Sequence, residues 1–205
     1  MAFARLTHRL ARTARRAVAR SRALSFSFPG PRKLADITKL PLLERESAAR
    51  VKEIWTEHHA GSPDAVGVAL DAAAHAELRA RAAPCPMLVL PVHREGGFFT
   101  LVAQFQERHF LLAPLETYRA DPASASPCLS VALYDELCAS KGVGLVRADV
   151  VGAQLTRAEG ATTLSLLLDA YLEPALYDAH VRPFNLEPAR FDFDAWLAAL
   201  RARLA

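Results

Sequence analysis

Between Met87 and Ala113 the apolar residues recur at every second position, in three short runs over residues 87–92, 98–105 and 109–113. That period belongs to extended strands, whose successive side chains point to opposite faces. The breaks between the runs, 93–97 and 106–108, are five and three residues long. A parallel crossover needs about a dozen residues, so breaks this short force antiparallel neighbours. Phe99, Leu101, Ala103 and Phe105 make one uniformly apolar row, while Phe98, Thr100, Val102 and Gln104 make a mixed one. The apolar row needs a layer of helices over it.

Helical spacing supplies that layer on both sides of the meander. Leu40, Leu43, Val51, Ile54 and Trp55 predict an amphipathic segment to about His59, with Ser47 as cap and Ala60-Gly61-Ser62-Pro63 as stop. A second helix is expected over 71–83, with Ala74, Leu78 and Ala82 on one side, ended by Pro84 and Pro86. The stretch 61–69 reads as an alanine- and glycine-rich loop, and 121–127 as a Pro/Ser/Ala loop. Further strands are expected at 128–134 and 143–151, with a short helix at 135–140 closed by Lys141-Gly142. Thr156 and Glu159 form a capping box that opens a helix through Leu164, Leu167, Leu168 and Tyr171. Pro174 breaks it, 175–181 adds a turn or two, and Asp194 caps a final helix carrying Trp196, Leu197, Leu200 and Leu204. The expected fold is α+β: a mostly antiparallel sheet of about five strands flanked by N-terminal and C-terminal helices.

Charge divides the chain at the breaker cluster Phe28-Pro29-Gly30-Pro31. Residues 1–28 hold seven arginines and no carboxylate; residues 29–205 hold 18 Lys+Arg against 22 Asp+Glu. Arg5, Arg9, Arg12, Arg16 and Arg20 share one helical face, with leucines and alanines beside it. An Arg-rich, acid-free amphipathic leader reads as a mitochondrial transit peptide. Its rivals are a chloroplast address and a basic arm that binds an acidic partner. The expected division is therefore a transit peptide over 1–28 and one domain over 29–205. The remaining body is mildly acidic, which argues against a nucleic-acid surface. No uncharged apolar run approaches the roughly 20 residues of a bilayer span, so stable membrane association is not expected.

The sequence offers little for catalysis. It has no phosphate-cradling glycine loop, no Gly-x-Ser-x-Gly elbow and no His-Glu-x-x-His helix. His58 and His59 occupy adjacent helical positions about 100° apart, which suits a polar helix end better than a metal site. Cys128 could serve a matrix enzyme as nucleophile with His109 or His180 as base, or it is a small core residue at a strand start. No cofactor is expected. Phe184, Phe191, Phe193 and Trp196 form an aromatic cluster that either seals the last helix or grips a partner.

An ordered series of motifs carries a family resemblance. It runs through Lys33-Leu34-Ala35-Asp36-Ile37, Leu42-Leu43, Ile54-Trp55 with His58-His59, and the strand Leu88 to Pro91 with its Arg94-Glu95-Gly96 turn. It continues through Pro127-Cys128-Leu129, Glu136-Leu137, Ser140-Lys141-Gly142-Val143, and Phe184-Asn185-Leu186 with Pro188 and Phe191. From Lys33 onward the chain resembles the mitochondrial assembly factors that chaperone the β subunit of the ATP synthase catalytic head. The resemblance implies a non-enzymatic matrix protein that binds unassembled β subunit, prevents its aggregation and releases it when the α subunit arrives. The mixed sheet face and the C-terminal aromatic segment are the two surfaces expected to carry that contact.

Overall fold

The structure, a computed structural model, describes residues 30–204. Its centre is a six-stranded, wholly antiparallel sheet in the order β1-β6-β5-β4-β3-β2. Strands β2 (Met87–Arg94), β3 (Gly97–Gln106), β4 (His109–Pro114) and β5 (Leu129–Tyr134) form the meander, followed by β6 (Val143–Val150). The two tight connections are those anticipated from the spacing. Gly96 and Glu107 turn them with positive φ of 83° and 51°. The sixth strand, β1 (Ala65–Asp71), lies largely inside the stretch expected as a loop and pairs with β6 from Ala65↔Asp149 to Asp71↔Val143.

Helices cover both faces. Among the described residues three helices precede the sheet: α1 (Leu34–Ile37), α2 (Leu40–Leu43) and α3 (Ala48–Ala60). The Ser47 hydroxyl accepts from the Arg50 amide, as a cap should. α4 (Ala72–Ala82) follows β1 directly, and α5 (Leu115–Ala120) and α6 (Cys138–Lys141) flank β5. α7 (Arg157–Leu172) opens with the complete Thr156/Glu159 capping box. α8 (Pro174–Leu176), a π turn (Tyr177–Val181) and α9 (Arg182–Leu186) then run on without a break, and α10 (Phe193–Arg201) ends the described chain. The cap of α10 is Asp192, whose carboxylate accepts from the Asp194 and Ala195 amides, two residues earlier than the sequence suggested. The helix ends at Arg201, so Leu204 lies beyond it, 45% exposed.

Alternation along the strands sorts the core into two. Leu129, Val131 and Leu133 of β5, with Val146 and Ala148 of β6, join Leu78, Leu164, Leu167 and Tyr171 in the larger cluster. Ala132 and Tyr134, with Val143 and Leu145, point the other way and pack with Leu34, Leu43, Val51 and Trp55. So α4 and α7 lie on one face, and α1 to α3 lie on the opposite face over β5, β6 and β1. Period-two alternation with both faces covered explains why β5 is buried at every position.

Candidate partner-binding surface

The aromatic segment picked out by sequence lies along the edge strand β2. Phe184, Phe193 and Trp196 are buried, and Phe191 is half-buried with its ring 4.9 Å from that of Phe184. The Trp196 indole donates to the Val89 carbonyl at 2.7 Å, and His180 stacks on it at 5.1 Å. Asn185 serves the same edge: its Oδ1 accepts from the Met87 amide and its Nδ2 donates to the Met87 carbonyl. The next outward-facing backbone position is Pro91, which has no N–H to satisfy. Exposed edges recruit stray strands, so these contacts shield β2. The segment's solvent-facing apolar group is Leu186, 53% exposed. The mixed row of β3 is no open platform either. Val102 and Gln104 are buried, and only Phe98 at the hairpin end is exposed.

A polar constellation that the sequence reading passed over sits under α3, on the face opposite α7. Trp55 and His59, one turn apart on α3, both enter the core. The Trp55 indole donates to the Val146 carbonyl at 3.1 Å. His59 Nδ1 lies 2.8 Å from the Trp55 carbonyl, and Nε2 lies 3.5 Å from Arg147 Nη1. A carbonyl can only accept and a guanidinium can only donate, so Nδ1 carries the proton and Nε2 is the acceptor. Burial lowers the His59 pKa first, partly offset by the Trp55 carbonyl and reinforced by the Arg147 charge. Arg147 in turn grips Asp149, with Nε at 2.8 Å and Nη2 at 2.6 Å from Oδ1. Arg157 donates to the carbonyls of His59 and Ala65, closing the end of α3 from the other side.

Above this network opens a cavity of about 450 Å³ lined by Arg32, Ile37, His58, His59, Gly61, Ser62 and Arg147. The Tyr134 hydroxyl donates to the Arg32 carbonyl at 2.8 Å and fixes that residue at the rim. His58 and His59 diverge as adjacent helical positions must: one is exposed beside the cavity and the other is buried. Arg147 had a sequence signal, a lone charge inside the apolar run 143–148, because a buried guanidinium demands partners. Gly67 of β1 carried the complementary signal, since it makes room for Trp55 and His59.

The thiols are placed for packing. Cys128 is fully buried, its Sγ points to the Leu112 carbonyl, and burial pushes its pKa to about 11. Such a thiol is uncharged at neutral pH and is no nucleophile. Cys138 is half-buried, 3.8 Å from His75 Nδ1, and its pKa is raised, chiefly by burial. Among the described residues no group of three or more His, Cys, Asp or Glu side chains is disposed to hold a metal ion. No described helix is long and apolar enough to cross a membrane.

Comparison with known proteins adds an independent line. The model of the ATP11 protein family matches residues 6–195. The human protein named ATP synthase mitochondrial F1 complex assembly factor 1 is 23% identical over 175 residues, which is 84% of this chain and 53% of that protein. The chain thus spans about half the length of this relative.

Proposed function

We propose, from the premise that this chain belongs to the ATP11 protein family, that it is an assembly factor for the catalytic F1 head of the ATP synthase. In this reading it works in the mitochondrial matrix, reached through the basic leader over residues 1–28. It binds the unassembled β subunit, keeps it from aggregating and yields it when the α subunit arrives. The observation that carries the reading is the family match over nearly the whole chain, joined by a relative whose name is that of an F1 assembly factor. The physics is consistent with it. A subunit destined for a ring exposes large apolar interfaces before assembly, and these associate wrongly when bare. A holding protein needs no bond-making chemistry: it occupies that surface by mass action and gives way to a tighter partner.

The buried, uncharged Cys128 supports a role without covalent catalysis. The C-terminal aromatic segment remains the proposed partner contact, through the edge it presents to solvent at Leu186 and Phe191. Phe184, Phe193 and Trp196 hold that edge in place from beneath. The test is deletion in cells together with capture of bound proteins from mitochondria. Unassembled β subunit should be recovered with the chain, and α and β should become insoluble without it. Soluble, fully assembled β subunit in the deletion strain would refute the proposal.

A further inference from the structure

The cavity between α3 and β6 gives the partner a chemistry. Every ionisable side chain that lines it is basic: Arg32, Arg147, His58 and His59. Two carboxylates lie beside it and both are engaged: Arg147 holds Asp149 through Nε and Nη2, and Asp64 accepts from the Ser62 hydroxyl at 3.0 Å. His59 spends its one proton on the Trp55 carbonyl, so it offers the cavity no charge. That leaves guanidinium N–H groups of Arg147 on both Nη atoms, those of the exposed Arg32 beyond the one its Nη2 gives to the Asp36 carbonyl, and an N–H of His58 for an acceptor. A basic cavity on a body that carries an excess of acid is a local inversion of charge. Its wall includes Ile37. Cationic groups in a recess, with this one apolar side chain in the wall, match a protein surface that projects one acidic residue.

We propose that this cavity seats a carboxylate side chain, Asp or Glu, of the protein client, rather than a free anion. The inference rests on the assembly-factor reading and names the contact that reading lacks. Arg32 supplies the charged hydrogen bond through the N–H groups its contact with the Asp36 carbonyl leaves over, His58 the second donor, and Arg147, its charge paired with Asp149, fixed N–H groups at the floor.

The experiment compares the full chain with its R32E/H58E form, in which both replaced side chains are exposed and outside the core. Binding of isolated β subunit is measured by titration calorimetry, with thermal unfolding as the check on folding. Separately, the His58 and His59 ring signals of the wild-type chain are followed by NMR against N-acetylglutamate amide and against inorganic phosphate. The expected result is capture weakened about tenfold at unchanged melting temperature, with ring signals that move for the carboxylate probe. Capture by R32E/H58E as tight as wild type overturns the proposal. So do ring signals that move for phosphate and not for the carboxylate. If the double variant melts early, the H58E single variant and the NMR arm decide alone. Wild-type chain that binds no β subunit yet responds to the carboxylate probe removes the assembly reading and leaves the cavity assignment standing; no response in either arm removes both.

Discussion

Replacing Gly67 by alanine tests the buried network directly. Gly67 sits in β1 without a positive φ, so alanine suits its backbone and by itself would stabilise by about 0.4–1 kcal/mol. The obstacle is space. A Cβ there would stand 2.6 Å from His59 Cγ and 2.9 Å from Trp55 Nε1 and would press on His59 Nδ1 as well. Neither ring can retreat cheaply, because each is tied by a buried hydrogen bond, Trp55 to Val146 and His59 to Trp55. Overpacking costs about 1–3 kcal/mol and a lost buried hydrogen bond about 1–3 more. Allowing for the favourable backbone effect, the net loss is about 3 kcal/mol. For a chain of this size that lowers the melting temperature by roughly 6–12 °C. Urea unfolding followed by circular dichroism measures it. Gly61→Ala is the control, since a Cβ there meets nothing within 4 Å, and it should stay within about 0.5 kcal/mol of wild type. A Gly67→Ala protein as stable as that control would show that Trp55 and His59 are not locked as described.

Three further outcomes are expected. Asn185→Ala removes both partners of the Met87 backbone and should cost about 3 kcal/mol and promote aggregation through the bared β2 edge, read by denaturant unfolding and light scattering. In the native protein near neutral pH a thiol reagent should label Cys138 alone, with Cys85 and Cys128 reacting only on unfolding; Cys138→Ser should abolish the native labelling. The Arg94 guanidinium, 2.6 Å away, holds the Glu159 pKa at about 2, below its usual 4.5, so its contribution is present above the unfolded value and lost as pH falls from about 4.5 to about 2. Glu159→Gln should flatten the acid limb of stability against pH over that window.

What could be read from the residues follows from which signals are local. The meander was legible because alternation and the two tight breaks in 87–113 fix pairing without reference to the rest of the chain. The Thr156 cap and its Glu159 partner were legible for the same reason: three residues apart, they satisfy each other. β1 was not, because Ala65-Val66-Gly67-Val68-Ala69 contains small residues that weaken any strand pattern. Gly67 is there for Trp55 and His59, which approach from a helix that sequence alone does not place against it. The cavity was hidden likewise, since Arg32, His58 and Arg147 converge only once α3 lies on β6. The aromatic cluster was visible as composition, but whether Trp196 faces a partner or the Val89 carbonyl depends on the path of 174–192.

On the proposed function, a protein that shelters aggregation-prone subunits must itself offer no strand edge for them to join. At β2 the outward groups are taken in turn by Asn185, by Trp196 and by the absence of a donor at Pro91, and at β1 the Ala65 carbonyl is taken by Arg157. Recognition by strand addition is thereby opposed over the Met87–Pro91 part of β2. Side-chain contact remains, and the large exposed apolar groups available to it among the described residues are few: Leu42, Phe98, Leu186 and Leu204. A few exposed apolar groups bind weakly and to many surfaces; one seated carboxylate adds orientation and discrimination. Weak apolar contacts registered by a single ionic anchor would release readily when a tighter neighbour competes, which is the behaviour a temporary holder of a ring subunit requires. Raising the salt concentration should therefore shorten the lifetime of the complex with β subunit, whereas a contact made of apolar surface alone would be held or strengthened.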